Sequence, residues 1–460
     1  MTKKVAFYTL GCKANQYDTE IMKDAIRNEP GHQIVPFSGE PDVTVINTCS
    51  VTSGADRKSR KYIRRAARNG DLVLVTGCYT TLNSDEIEDI SGVDVIFPNS
   101  HKYEIVEVLK QAESGFRGKV EDPSGRVWDL DRKVISRDSN HTRAFLKIQD
   151  GCSNSCTFCK VHYLRGPTRS KSISKVIEEA RRLGDRGFRE VVLTGINLAE
   201  YGGEKGKLSE LIDDLSSLEK ITRIRLSSIN PDGITPELLK VFEDSAKTCP
   251  YFHLPLQSGS NRILSAMGRG YTLEYYLKKI GLIRDQVTGS TIGTDLMVGF
   301  PGEKENDFNR TLEAVKEIGF VNGHVFRYSH RPVTPAADFE DKVDSSVKKR
   351  RAKQLRSLIS STSLTKRREF REKILDMIIE EPSDRIDGWR GYSKNYLDIH
   401  IPQEHCEKGI EPGETVQVEL SEVREDFCLA EPLQSDQKGQ KDAKVTKAGK
   451  EKTGSDENRR

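Results

Sequence analysis

Short apolar runs alternate with amphipathic stretches twice along this chain, and that alternation limits the fold more than any other feature. The first series has runs at residues 5–10, 43–47, 72–76 and 93–98, with helix-like stretches such as 19–28 and 55–68 between them. Parallel strands need long crossovers, usually helices, so residues 3–114 are predicted to form an α/β domain with a mostly parallel sheet. Residues 115–137 are polar and read as a linker. The second series has runs at 144–148, 190–194, 223–227, 251–256, 292–298 and 324–328, separated by helical patterns at 174–186, 207–218, 236–245, 273–286 and 305–318. Six strand–helix steps predict an open or partial (β/α)6 barrel within residues 138–370. A basic helical stretch, 347–372, leads into strand-like runs at 374–380, 397–402, 415–422 and 428–432, which predict a small β-barrel over 371–434. Residues 435–460 hold one β-branched apolar residue, Val445, and are expected to stay disordered because they bury too little.

The composition permits several cores. The chain has 460 residues, 35% of them apolar, and no run approaches the roughly 18–20 residues of a membrane-spanning helix. Net charge is +3, and residues 435–460 alone, with eight Lys/Arg and five Asp/Glu, account for it. A polyanionic partner must therefore meet local patches. Residues 5–10 are too short and too polar for a signal sequence, so a cytoplasmic location is expected. Nine cysteines in such a compartment point to metal or catalysis rather than disulfides.

Three of those cysteines fall in Gly151-Cys152-Ser153-Asn154-Ser155-Cys156-Thr157-Phe158-Cys159, directly after the first strand of the second series. A loop this tight can wrap one face of a compact iron–sulfur cluster. Three thiolates leave one iron of a four-iron cubane open to chelate a ligand. The other reading is a zinc knuckle with His162 as fourth ligand.

Cys12, Cys49 and Cys78 each end an apolar run. In a parallel sheet the carboxyl ends of the strands share one edge, where ligands bind. Three cysteines at three such ends can converge on a second cluster, again with three visible ligands; the alternative is three cysteines that act independently.

Cys152, Cys156 and Cys159, with Phe158 before the third cysteine, resemble the signature of the radical S-adenosylmethionine enzymes. Later strand ends agree in order: Thr194-Gly195-Ile196-Asn197, Ser227-Ser228, His253-Leu254-Pro255-Leu256-Gln257-Ser258-Gly259, and Asp295 through Glu303. The resemblance implies a [4Fe–4S] cluster whose open iron chelates S-adenosylmethionine, with Phe158, Asn197, Ser228 and Gln257 at the cofactor. Strand-end capping is the plainer role for Asn197 and Ser228. Thr9-Leu10-Gly11-Cys12-Lys13-Ala14-Asn15-Gln16-Tyr17, Asn47-Thr48-Cys49-Ser50 and Thr76-Gly77-Cys78-Tyr79 resemble the methylthiotransferases of that superfamily. The Gly-Cys-Lys-x-Asn-Gln form most resembles the branch acting on N6-threonylcarbamoyladenosine of tRNA.

That resemblance implies two [4Fe–4S] clusters, the second on Cys12, Cys49 and Cys78. One S-adenosylmethionine methylates a sulfur held on the second cluster, and another yields the radical that activates C2 of adenine. It further implies a C-terminal TRAM domain gripping tRNA, a separate electron donor and a sulfur source. A monomer with no membrane attachment is expected. The alternatives are isopentenyladenosine in tRNA or a ribosomal-protein aspartate as substrate, or, in another class, a non-catalytic zinc-containing RNA-binding protein.

Three departures from the family pattern stand out. Lys160 and His162 follow the third cysteine where small or apolar residues are usual, and Lys160 would favour the reduced cluster. Val333 stands where glycine is common, so that loop must differ locally and Arg331's contacts cannot be carried over. Asn230 stands where this branch often has Glu. For nucleic acid, Arg57, Lys58, Arg60, Lys61, Arg64, Arg65 and Arg68 share one predicted helix with a single acid, Asp56. Arg57, Lys61, Arg64 and Arg68 recur at helical spacing on one face, with Ile63, Ala66 and Ala67 inward. Trp389, Tyr392 and Tyr396 are candidates for base stacking in the small barrel.

Overall fold

The computed structural model describes residues 2–69, 72–121, 130–132, 142–203, 206–406 and 410–433. Most of the expected linker and the whole of the expected tail lie outside the described residues. The chain divides into two compact units, 1–362 and 363–460.

The first unit opens with a six-stranded sheet. Its strands are β1 (Lys3–Thr9), β2 (His32–Val35), β3 (Val43–Thr48), β4 (Leu72–Gly77), β5 (Val95–Ile96) and β6 (Gly118–Lys119). Their order is β2-β1-β3-β4-β5-β6, and every pair is parallel. Helices α1 (Lys13–Arg27), α2 (Ser53–Ala67), α3 (Cys78–Glu88) and α4 (Ile105–Glu113) lie between them. β3 reads Val-Thr-Val-Ile-Asn-Thr and is buried at all six positions, as a central parallel strand covered on both faces must be. β2 and β6 have no counterpart among the apolar runs: both are short edge strands, and β6 falls in the expected linker. α1 starts six residues before the stretch read as helix. Its buried face includes Asn15, Asp18 and Thr19, so apolar periodicity does not mark its first turns.

The same unit continues with β7 (Arg143–Lys147), β8 (Gln149–Asp150), α5 (Val161–Arg165), β9 (Arg169–Ser170), α6 (Ile173–Asp185), β10 (Glu190–Thr194), α7 (Leu208–Ser216), β11 (Arg223–Leu226) and α8 (Pro236–Asp244). Then come β12 (Tyr251–His253), α9 (Asn261–Ala266), α10 (Leu273–Gln286), β13 (Thr291–Val298), α11 (Glu305–Ile318) and β14 (Asn322–Arg327). β7-β10-β11 and β12-β13-β14 are parallel three-stranded sheets. Bridges Ile224–Thr248 and Ser228–His253 join β11 to β12, giving six strands in series, the partial barrel expected. Ala144, Leu146, Val191, Leu193, Ile224, Leu226, Leu296 and Val298 turn outward and pack under the helices in one large core. Alternate positions, Arg143, Phe145 and Lys147 of β7 and Asp295 of β13, therefore face inward. α10 and α11 fall on their expected boundaries; α9 and the antiparallel pair β8 and β9 are too short to show a periodicity in sequence.

Helix α12 (Ser345–Arg368) closes the first unit and runs into the second. The second unit is a closed barrel, β15 (Ile374–Pro382), β16 (Gly388–Ser393), β17 (Asp398–Pro402), β18 (Thr415–Val423) and β19 (Cys428–Pro432), in the order β15-β16-β17-β19-β18. β16 reads Gly-Trp-Arg-Gly-Tyr-Ser; its glycines make it look like a turn in sequence. Among the described residues no helix is long and apolar enough to cross a membrane.

Candidate functional site

β1, β3 and β4 are adjacent, and their carboxyl ends carry the first cysteine set. Cys49 follows Thr48, Cys78 follows Gly77, and Thr48 and Gly77 are paired. Cys12 precedes α1 three residues beyond β1. Gly11 and Gly77 both adopt φ +104°, where only glycine sits without strain. A Cβ on Gly11 would lie 2.9 Å from Cys49 Sγ, and one on Gly77 would lie 2.4 Å from the Thr48 carbonyl. The Gly-Cys pairs thus let the strand ends crowd together. Cys49 lies within electrostatic reach of Cys78 and Cys12, and burial pushes its thiol up to about 12. Cys78 is buried and Cys12 exposed.

The second set sits beyond β7. Cys152 N–H donates to Gly166 O (3.1 Å), and Thr157 is held through N–H to Met267 O (3.0 Å) and Oγ1 to Ala266 O (2.9 Å). The loop is thereby pinned between α5 and α9. Burial raises the Cys152 thiol to about 12 and the Cys159 thiol to about 11. Cys152 Sγ donates to Glu200 Oε1 (3.2 Å), whose other oxygen accepts from Ser153 N–H (2.8 Å). Arg269 donates to Cys156 Sγ (3.4 Å) and to Asn230 Oδ1 (2.8 Å). Glu200 and Arg269 carry no signal in sequence, since neither belongs to a cysteine motif. His162 Nδ1 lies 3.4 Å from the Cys152 carbonyl oxygen. Among the described residues no three His, Cys, Asp or Glu side chains gather closely enough for one metal ion. The thiols fit an iron–sulfur cluster chemically: burial holds Cys49, Cys152 and Cys159 in the protonated form by themselves, and a thiol becomes a ligand when iron displaces its proton.

The two sets are one residue apart through side chains. Lys160, next to Cys159, donates to Ser50 Oγ (3.5 Å), next to Cys49, and is 7% exposed. Behind this contact lies a buried ion network. Asp150 accepts two bonds from Arg165 (2.8 and 2.9 Å) and one from Lys147 (3.1 Å). Asp18 of α1 accepts from Lys102 (3.1 Å), Arg165 (3.3 Å) and Lys147. Arg165 also donates to Asn15 Oδ1 (2.6 Å), and Asn15 Nδ2 donates to the Leu10 and Thr48 carbonyls (both 2.8 Å). Arg165 lies within electrostatic reach of Asp150, Cys78, Asp18 and Cys12, so its positive charge faces the first cysteine set as well as the two carboxylates. Lys13 also points inward; burial, then Arg143 and Arg225, lower its ammonium to about 8.

The remaining predicted positions are distributed as follows. Asn197 is 5% exposed and caps: its Oδ1 accepts from Ala199 N–H and Asn230 N–H (both 3.2 Å), and its Nδ2 donates to Glu200 (3.0 Å). Ser228 is half-buried at the β11 end, with its carbonyl on Leu198 N–H (3.2 Å). Gln257 adopts φ +68°, a strained backbone for a non-glycine residue at a strand end. Phe158 packs edge-on against Phe300, with ring centroids 6.5 Å apart. Val333 is not among the left-handed non-glycine residues and is 38% exposed, so it takes the glycine position without strain. Arg331 in that loop pairs with Asp56 and reaches the Ser50 carbonyl (3.4 Å).

On α2, Arg57, Lys61, Arg64 and Arg68 are exposed, while Ser59, Ile63 and Ala66 are buried and Ala67 only half-buried. Tyr392 and Tyr396 stack on each other at 4.8 Å, and Trp389 is half-buried.

The six-strand barrel with its three-cysteine loop defines a radical S-adenosylmethionine enzyme, and residues 146–315 match the Radical SAM superfamily model. That superfamily uses a [4Fe–4S] cluster and S-adenosylmethionine. Residues 4–98 match the model described as "Uncharacterized protein family UPF0004". The chain is 40% identical over 408 residues to the threonylcarbamoyladenosine tRNA methylthiotransferase MtaB of Aquifex aeolicus, covering 86% of this chain and 96% of that protein. It is 37% identical to MtaB of Bacillus subtilis, covering 86% and 89%. Identity to the tRNA-2-methylthio-N(6)-dimethylallyladenosine synthase of Pelotomaculum thermopropionicum is 35%, covering 84% and 89%. This chain belongs to the radical S-adenosylmethionine methylthiotransferase family. Its fold is shared with the radical S-adenosylmethionine methyltransferase TsrM of Kitasatospora setae, at TM-score 0.58 and 14% identity over 73% of this chain and 77% of that one.

Proposed function

We propose that the chain adds a methylthio group to C2 of N6-threonylcarbamoyladenosine at position 37 of tRNA, next to the anticodon. The Lys160–Ser50 contact carries this reading, because it sets the two cysteine loops against each other so that both can serve one substrate. The identity to the two MtaB proteins supports the choice of nucleoside.

Cys152, Cys156 and Cys159 would hold the cluster that reductively cleaves S-adenosylmethionine, with Phe158, Asn197, Ser228 and Gln257 around that cofactor. Cys12, Cys49 and Cys78 would hold a second [4Fe–4S] cluster at the sheet edge. Arg165 and Lys102 place positive charge beside that sheet-edge set and offset its anionic ligands. Lys160 fills the contact between the loops and keeps water out of it. Arg57, Lys61, Arg64 and Arg68 present an exposed cationic face to tRNA phosphates. The electron donor and the sulfur source are separate partners.

Mass spectrometry of tRNA nucleosides from cells lacking the chain tests the reading. The expected result is loss of the 2-methylthio form with threonylcarbamoyladenosine itself retained. Loss of a methylthio-isopentenyladenosine instead assigns the other tRNA substrate, and an unchanged nucleoside profile overturns the reading.

A further inference from the structure

We propose that Lys13 recognises a carboxylate on the nucleoside being modified, the group a threonylcarbamoyl side chain carries and a dimethylallyl side chain lacks. The inference rests on the function proposed above and names the residue that decides its substrate.

Lys13 directly follows Cys12 and opens α1, which packs on β7. Its side chain is half-buried, and its ammonium lies 6.0 Å from the centre of the Phe145 ring, on the inward face of β7. The charged groups around it are Arg143, Arg225, Glu190 and His324. Glu190 is already engaged by Arg223 and Arg225, each at 2.6 Å. Asp295 is engaged by His253 (3.3 Å) and His324 (3.1 Å). Among the described residues, then, Lys13 has a ring face and three basic side chains for neighbours, and its one carboxylate neighbour, Glu190, makes no ion pair with it. Removing an ammonium from water without an anionic partner is costly, and a carboxylate ligand would offset that cost. Lys13 sits beside the Cys12 set, whereas the carboxylate of S-adenosylmethionine belongs at the Cys152–Cys159 loop; the geometry therefore favours the substrate as the source.

The test compares binding of an anticodon stem-loop RNA carrying N6-threonylcarbamoyladenosine with the same RNA carrying its methyl ester. It uses cluster-loaded wild type, Lys13→Arg and Lys13→Gln, with S-adenosylmethionine affinity measured in parallel. Wild type and Lys13→Arg are expected to prefer the acid about tenfold, as a charge-assisted pair would. Lys13→Gln should bind both RNAs at the weaker affinity, with S-adenosylmethionine affinity unchanged in all three. Lys13→Met, which keeps a long side chain, replaces Lys13→Gln should the latter lose iron. Equal binding of acid and ester by wild type overturns the inference. So does a neutral variant that keeps the preference, or one whose only loss is S-adenosylmethionine affinity. Wild type that forms no methylthio product on this RNA sinks the proposed reaction, while the acid–ester comparison still decides the lysine.

Discussion

Asp18 is 2% exposed and meets Lys102, Lys147 and Arg165 at once. Burial alone would raise its pKa; the three cations outweigh that and bring it down to about 2. Asp150, held by Arg165 and Lys147, is depressed still further. A depressed folded-state pKa means that the network's contribution is complete above the unfolded carboxylate value of about 3.9 and drains away as pH falls through the folded value. Acid unfolding monitored by circular dichroism should therefore begin below about pH 4. Asp18→Ala should flatten that dependence. The same substitution strands buried cations and should cost ~3–5 kcal/mol in urea titration at pH 7. A cost below about 1 kcal/mol would show that the network is solvated rather than buried.

At the scale of the element, α2 combines two functions on opposite faces. Thr52 caps it by accepting from Ala55 N–H (3.1 Å), and Ser59, Ile63 and Ala66 seat it against the sheet. Ser59 Oγ also donates to the Cys49 carbonyl (2.9 Å), so the helix helps fix the cysteine turn. Its one acid, Asp56, is engaged by Arg331, which among the described residues leaves Arg57, Lys61, Arg64 and Arg68 unopposed on the exposed face. Replacing those four by Ala should weaken tRNA binding and lower the slope of log K against log salt by about 0.7–0.9 for each phosphate no longer neutralised. Iron content should stay at the wild-type level, because none of the four reaches a cysteine. An unchanged salt slope would return the face to the role of a solvated surface.

For the whole molecule, the decisive quantity is how many metal clusters one chain holds. Iron and sulfide counting after anaerobic reconstitution should give about eight irons in wild type. A variant lacking Cys152, Cys156 and Cys159 should hold about four, and so should one lacking Cys12, Cys49 and Cys78. Four in wild type, or a count unchanged by loss of the sheet-edge set, would remove the second cluster. The closed C-terminal barrel holds none of these six cysteines, so this count is a property of residues 1–362.

The alternation of strand and helix, the Cys-x3-Cys-x2-Cys loop and the placing of Cys12, Cys49 and Cys78 at strand ends are legible in the chain because each is local. Spacing along a few residues sets helical or extended periodicity, and a strand end can be read from the run that precedes it. Short edge strands and the polar-faced first turns of α1 escape such reading, having too few residues or too little apolar contrast. What the tertiary structure alone decided is which distant residues meet. Lys160 reaches Ser50 across 110 positions, Arg165 reaches Asn15 across 150, and Arg331 reaches the Ser50 carbonyl across 281. Such contacts form because parallel strands bring their carboxyl ends to one edge and the packed core presses two such edges together, a consequence of global packing with no local signature.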